Sequence, residues 1–408
     1  MKNFFNAIGV ADMEKVHSAM IAWILDDEND PSISSKTTIA SSQFATFPIK
    51  CRSDLLCILF GLQPTKQFNS IKTYVEWNDI DIMIKTVDTQ GAEDVWVIEN
   101  KLKSQEHMSM VSAEEKNRWN TSTDTIWQTE KYEHIIDDYI IDNSYSNVTT
   151  HFTLLSLSGD KAKSPSSKWG SCTYSDLSNF LKGQNLSANV LIGEYSNSIS
   201  RIIDELNNFL KTTKPCSYTH VFNKLKKSQK DLTQTQISQD ERFIVENGLE
   251  TIFQKQYLAN NIVPLLSQFI TSNVRYDERN GVAMFVVPIC SIGDYELNIE
   301  FQGGTFKVGI NHKDYLQRSS SQYTKFLYDP NSNVNKMFKR LSNNTWRIAS
   351  AKNLQKGTAK PRISLDKNIA KRGKASSWFL AKSDVFINIY GEAHKIAKSI
   401  QSNIQTIP

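Results

Sequence analysis

The segment Val95-Trp-Val-Ile-Glu-Asn-Lys101 constrains this chain most, because four apolar residues run directly into Glu99, Asn100 and Lys101. A short apolar run without alternation is the mark of a strand covered on both faces. It must therefore lie inside a sheet with helices over both sides. Its charged end then emerges at the carboxyl edge of the sheet, where the sites of open α/β sheets gather. Residues two apart on a strand share a face, so Glu99 and Lys101 project together. Before a turn at Gly91, a second strand signal spans Tyr74–Ile84, with Ile80, Ile82 and Ile84 on one face and Asp79, Asp81 and Met83 on the other. An antiparallel pairing of these two strands brings Asp81 beside Glu99. On spacing alone, an ordinary Glu99–Lys101 ion pair at a strand end remains the alternative.

Around this strand the pattern is helix and strand in alternation. Met13, Val16, Met20 and Ile24 fall at helical spacing over Met13–Asp26, and a second helix is expected near Ser53–Gly61. A polar stretch, Ser104–Thr125, precedes a helix at about Ile126–Ile141. A strand over His151–Leu157, a Ser/Lys/Gly loop and a helix over Ser198–Leu210 follow, ending at Lys214-Pro215. Such alternation predicts an α/β domain over residues 1–212. Residues from about 218 to 272 read as helical. Then Tyr295, Leu297, Ile299 and Phe301 alternate with polar residues, and Phe306, Val308 and Ile310 answer them across Gln302-Gly303-Gly304-Thr305, a hairpin signature. A last helix, about Asp384–Asn403, carries Phe386, Ile389, Ala393, Ile396, Ala397 and Ile400 on one face. Residues 213–408 are thus predicted to form an α+β domain, and 408 residues suit two domains.

Several classes are excluded. No apolar run approaches the roughly 18 residues of a membrane span, and the start of the chain lacks an apolar secretory segment. Five scattered cysteines, without CxxC spacing, argue for a reducing cytoplasm and against a zinc ribbon or disulfide framework. Charge is unevenly spread. Lys336–Ile400 holds fifteen Lys/Arg against three acids, a balance of +12, which leaves −8 for the rest of a +4 chain. An acidic catalytic half joined to a basic half suits a polyanion such as DNA; a solvated basic surface is the plainer alternative. Lys371, Arg372 and Lys374 form the densest basic cluster and are the candidate nucleic-acid contacts there.

Phosphodiester hydrolysis needs an activated water, stabilisation of charge on the phosphoryl group and help for the leaving oxygen. Carboxylates holding Mg²⁺ supply much of this, since Mg²⁺ takes oxygen ligands and retains waters. Asp81 and Glu99 are candidates for that role. Lys101 is placed to orient the water, lower its pKa or stabilise the charged transition state.

Five segments, in order, resemble the PD-(D/E)XK nuclease superfamily. Glu14-Lys-Val-His17-Ser18 looks like the Glu-x-x-His-Ser opening of one prokaryotic branch. Asp79-Ile-Asp81-Ile resembles that branch's Arg-Ile-Asp-Ile strand, and Ile98-Glu99-Asn100-Lys101 its Ile-Glu-Asn-Lys form of (D/E)xK. Gln128-Thr-Glu-Lys-Tyr132 fits its Gln-x-x-x-Tyr helix, and the strand near His151–Leu157 with Trp169…Tyr174 follows in order. The resemblance covers residues 1 to about 210. It implies a restriction-endonuclease-like core, with a mixed sheet flanked by helices. It also implies that Asp81, Glu99 and the Asn100 carbonyl hold the metal, with Glu14 adding a carboxylate. Lys101 would be the catalytic lysine, and Gln128 would position substrate or Lys101. The sequence departs in two places: Asp79 stands where Arg is usual, and the stretch from Lys101 to Gln128 is long. That insert, with Lys116, Arg118 and Trp119, is expected near the cleft as a lid, a nucleic-acid contact or a disordered loop.

The weaker positions have plainer readings. His17 reads as a core histidine behind the site rather than a ligand. Tyr132 shares a helical face with Gln128, Ile136 and Tyr139 and is as suited to the core as to substrate. Glu76 sits at the opposite strand parity from Asp81, and Trp346 and Trp378 read as core. Together these expectations describe a cytoplasmic, Mg²⁺-dependent deoxyribonuclease (Mn²⁺ substituting), an endonuclease of prokaryotic antiviral defence or restriction. Its partners would be DNA and a regulatory protein or a second copy of itself. The alternative is a catalytically silent nucleic-acid-binding or partner-sensing subunit of a defence complex.

Overall fold

The structure is a computed structural model that describes residues 13–29, 47–184, 189–211, 221, 239–271, 274–279, 282–302, 305–313, 329–349, 351–352, 362–365 and 384–404. The chain divides into two compact units, Met1–Leu206 and Asn207–Pro408.

In the first unit, helices α1 (Glu14–Leu25) and α2 (Ile49–Leu59) lead into β1 (Phe68–Trp77), β2 (Ile80–Asp88) and β3 (Glu93–Lys101). The single strand expected over Tyr74–Ile84 is in fact two, folded at Asn78-Asp79. Both turn residues have positive φ (49° and 67°), and Trp77 pairs with Ile80 across them. This is the twist-matched two-residue turn of hairpins, which Asn and Asp tolerate better than other side chains. The second helix begins four residues earlier than expected, after Pro48, which fits a helix start because its missing N–H has no partner there.

The polar insert is also ordered. It forms β4 (Met108–Met110), the short helix α3 (Ala113–Arg118) and β5 (Thr125–Trp127). Ser112 and Glu115 close a reciprocal cap at the start of α3. Lys131 of helix α4 (Gln128–Asp142) pairs with Glu115, and Trp119 stacks on His134 of α4 at 4.8 Å. Strands β6 (Thr149–Ser156) and β7 (Trp169–Thr173) and helices α5 (Tyr174–Lys182) and α6 (Val190–Lys211) complete the run.

The five-stranded sheet has the order β1-β2-β3-β6-β7, antiparallel across β1–β3 and parallel across β3, β6 and β7. The apolar segment around Val95–Ile98 is therefore the central strand, and all four of those side chains are buried. Met83, Val95, Val97 and Phe152 meet Tyr132 and Ile136 of α4 on one face, while α1 lies over β1–β3. Each such fully buried side chain stabilises by about 1.5–3 kcal/mol. Edge strand β1 would expose its amides, but Asp27 accepts from Ile71 N and Asp26 from Thr73 N. Arg52, fully buried, holds that corner through Asp27 and the carbonyls of Leu25 and Phe47.

The second unit has helices α7 (Gln239–Glu246) and α8 (Glu250–Tyr257) and strands β8 (Arg275–Arg279), β9 (Val282–Ile292), β10 (Tyr295–Gln302) and β11 (Thr305–His312). Helix α9 (Asn333–Leu341), strands β12 (Trp346–Ile348) and β13 (Arg362–Leu365) and helix α10 (Asp384–Ile404) follow. Its antiparallel sheet has the order β12-β13-β11-β10-β9-β8, with Phe301 opposite Phe306 and Gln302 opposite Thr305 as the hairpin signature requires. Phe386 and Tyr390 of α10 pack on Phe306. The polar residues of β10 are not left to water: Asn298 and Glu300 are buried, and Arg362 Nη2 sits 3.1 Å from Glu300 Oε1. Trp346 is core, as expected; Trp378, Lys371, Arg372 and Lys374 lie outside the described residues. Among the described residues no helix is long and apolar enough to cross a membrane.

Candidate active site

The hairpin of β1 and β2 and the antiparallel register of β2 on β3 decide where the carboxylates go. Ile82 pairs with Ile98, which sets Asp81 across from Glu99 at the carboxyl end of β3. The Asp81 carboxylate is fixed by the backbone N–H of Asn100, 2.7 Å from its Oδ2. Glu99 is fully buried, with Lys101 Nζ 2.5 Å from its Oε1. Beyond that ion pair neither oxygen makes a well-formed hydrogen bond, although Asp81 and Tyr132 both lie close enough to act on the carboxyl.

The electrostatics follow from that crowding. Burial, then the neighbouring charge of Asp81, pushes the Glu99 carboxyl well above the usual range, with Lys101 opposing. Asp81 is also raised, chiefly by burial, against the pull of the Asn100 amide and Lys101. Burial lowers the Lys101 ammonium, but Glu99, Asp81 and Glu14 raise it more, and the net shift is upward. Two carboxylates and one ammonium in a dry site thus compete for charge balance, and a divalent cation between the carboxylates would settle it.

No group of three or more His, Cys, Asp and Glu side chains arranged for a metal ion occurs among the described residues. Mg²⁺ does not require one, because it is commonly held by one or two carboxylates with waters and substrate phosphate oxygens. Asp81, Glu99 and the Asn100 carbonyl fit that oxygen-rich set.

The other expected residues are drawn to the same end of the sheet, but with different tasks. Glu14 Oε1 accepts from the amides of both Lys103 and Ser104 at 2.8 Å, and its Oε2 accepts from Ser104 Oγ at 2.9 Å. Its carboxylate therefore latches the chain leaving β3. The Asn100 side chain is equally engaged: Nδ2 donates to Ser18 Oγ and the Glu14 carbonyl, and Oδ1 accepts from Tyr174 Oη at 2.6 Å. Gln128 donates from Nε2 to Tyr132 Oη, which in turn donates to the Asp79 carbonyl at the hairpin turn. Gln128 Oε1 is buried with no hydrogen-bond partner, an acceptor still to be satisfied. Tyr132 is buried among the core side chains, and His17 is a core histidine whose Nδ1 lies 3.2 Å from Tyr195 Oη.

Three features escaped the sequence reading. Glu76, set aside for its strand parity, lies across the hairpin from Asp81, because the turn resets that parity, and it pairs with Lys15 at 2.8 Å. Tyr174 was read only as the end of the Trp169…Tyr174 segment, and its hydrogen bond to Asn100 Oδ1 was not foreseen. Glu106 looked like one more acid in a polar insert, yet it is buried and accepts from Thr129 N and Oγ1 and from Lys163 N.

One of three comparisons with known proteins finds a match. A search of curated proteins and a search of solved structures each return no match. The model of the PD-(D/E)XK nuclease superfamily matches residues 2–195, a span that includes Glu14, Asp81, Glu99, Lys101, Gln128 and Tyr174. This N-terminal segment belongs to the PD-(D/E)XK nuclease superfamily.

Proposed function

We propose that the chain is a Mg²⁺-dependent deoxyribonuclease, with Mn²⁺ able to substitute, and that Asp81, Glu99 and the Asn100 carbonyl hold the ion. The observation that carries this reading is Glu99: a fully buried carboxylate with no well-formed hydrogen bond, Asp81 beside it and Lys101 at 2.5 Å. Such a group is expensive to bury unless something binds it. When bound, the ion supplies a water of lowered pKa and neutralises charge on the phosphoryl oxygens.

The chain's own residues do the rest. Lys101, held by Glu99, stays protonated and offers N–H donors to the attacking water and to charge developing on the phosphoryl group. Gln128 Oε1 is an acceptor for the water or for Lys101. Glu14 acts by latching Lys103 and Ser104 rather than as a ligand, keeping the end of β3 in register with Asp81. The burial of Glu99 and Lys101 keeps bulk water from screening these charges.

The C-terminal α+β domain, with its basic sequence from Lys336 to Ile400, is proposed to bind DNA or a regulatory partner, either another protein or a second copy of this chain. A nuclease free to cut its host's DNA must be restrained, and endonucleolytic cutting in antiviral defence or restriction is the setting that fits. The test is incubation of the purified full chain with plasmid, linear and single-stranded DNA, with and without Mg²⁺ or Mn²⁺. Metal-dependent nicking of the plasmid is expected. No cleavage of any substrate with either metal would leave the N-terminal domain as a silent binding module.

A further inference from the structure

Strand β6 runs parallel to β3, and Lys101 is the register partner of Ser156. Both strands therefore end at the same edge of the sheet. The chain that leaves β6 there, Leu157–Lys168, carries Lys161, Lys163 and Lys168 against one acid, Asp160. It is fastened unusually well for a surface loop. Asp160 N donates to Ser156 Oγ, Lys163 N to Glu106 Oε2, and Ser164 N to Thr129 Oγ1. Ser164 Oγ, Ser166 Oγ and Trp169 Nε1 all donate to Glu133 Oε1. Two buried carboxylates, Glu106 and Glu133, thus hold a lysine-bearing loop in one conformation.

Lys168 is committed to Glu133 and Asp137. Lys161 and Lys163 are both exposed, and the Lys163 ammonium sits 4.4 Å over the Trp127 ring and 3.2 Å from the Glu106 carbonyl. His107 lies near both Lys101 and Lys163: its imidazole is lowered by burial and then by Lys101, with a smaller push from Lys163. Lys161 and Lys163 therefore follow β6 at the same edge of the sheet where β3 delivers Glu99 and Lys101.

We propose that the loop 158–168 is a phosphate-binding cradle, with Lys161 and Lys163 receiving backbone phosphates of the nucleic-acid strand beside the scissile bond. The proposal rests on the nuclease reading above and adds the track that brings the strand to the site. Fixing each residue of a loop costs on the order of 1–2 kcal/mol of chain entropy. Glu106 and Glu133 meet that cost during folding, so the loop need not be ordered again when substrate binds.

The test measures binding of a fluorescein-labelled DNA duplex in EDTA over a range of salt, for the full chain and for Lys161→Ala/Lys163→Ala. The slope of log affinity against log salt should fall by about 1.8 in the double variant, roughly 0.9 for each phosphate no longer neutralised. Lys161→Arg/Lys163→Arg should restore the slope, because the arginines keep both positive charges. A parent chain that cuts DNA, together with a double variant of unchanged slope, overturns the cradle alone. A parent that neither binds nor cuts DNA overturns the nuclease reading and the cradle with it.

Discussion

The backbone N–H of Asn100 donates to the Asp81 carboxylate at 2.7 Å, so the central strand itself aims the carboxylate of its neighbour. One of the contacts that orient Asp81 is thus a backbone donor that no side-chain substitution removes.

Glu99→Gln and Asp81→Asn should each lower metal-dependent cleavage by roughly a thousandfold or more, since the charge stabilisation from a bound divalent ion amounts to several kcal/mol and each 1.36 kcal/mol is tenfold in rate. The fold should persist, because both substitutions preserve shape. Steady-state cleavage with metal titrated to saturation checks this. Parent-like turnover in both variants would remove these residues from the site.

Lys101→Ala should lower kcat by about 10²–10³, the usual loss when one preorganised donor to a developing charge is removed. DNA affinity should change little, because one ammonium among many contributes little to binding. Anisotropy in EDTA and single-turnover cleavage in Mg²⁺ separate the two effects. A large loss of affinity with normal saturated turnover would make Lys101 a phosphate anchor.

Most of this site was legible before the structure because its logic is local. Glu99 and Lys101 share a strand face by parity, and the apolar run before them identifies a covered strand. The parts that were not legible depend on turns and distant partners. The parity argument that set aside Glu76 failed because Asn78-Asp79 folds the strand back on itself. The insert gave no secondary-structure signal because its pieces, three-residue strands and a six-residue helix, are too short for a periodic pattern. What orders them is tertiary: Lys131 to Glu115, and Trp119 Nε1 to Asp138. Glu14 was legible as a motif residue, but its engagement with the amides of Lys103 and Ser104 could not be, since the partners are backbone atoms about ninety residues away.

Glu14→Gln and Glu14→Ala should therefore part company. The glutamine keeps an oxygen for both amides, so metal dependence and activity should stay within several-fold of the parent. The alanine leaves part-buried donors unmatched, at a cost of up to about 1–3 kcal/mol, and should lower both thermal stability and turnover. Metal binding followed by calorimetry decides the role: a metal affinity greatly weakened in the glutamine variant would mark Glu14 as a ligand instead of a latch.

In the C-terminal half, neutralising Lys371, Arg372 and Lys374 together should weaken DNA binding without regard to sequence. The salt slope should fall by up to about 2.7 if all three side chains neutralise phosphates. Fluorescence anisotropy against several unrelated duplexes measures it. An unchanged slope would assign this domain to a protein partner and confine the DNA path to the N-terminal site.

The last prediction concerns pH. In the metal-free protein burial and the neighbouring Asp81 raise the Glu99 carboxyl well above its ordinary value, so between the two values the folded state holds a proton that the unfolded chain has released. Stability must then fall as pH rises from the ordinary glutamate range, near 4.3, toward the raised folded value. Lys101, raised from an already high value, contributes no slope in this window. Glu99→Gln removes the more strongly raised of the two carboxyls, Asp81 being raised as well, so the metal-free variant should melt higher than the parent near pH 8 and show a flatter Tm profile between about pH 5 and pH 8. Adding Mg²⁺ should raise the parent's Tm at pH 8 and leave the variant's almost unmoved, because a bound ion stabilises only the state that holds it. Melting curves in EDTA and in Mg²⁺ across that range test both statements. A parent whose metal-free stability rises with pH through the window would mean that Glu99 is ionised in the folded apoprotein, with Lys101 alone balancing its charge.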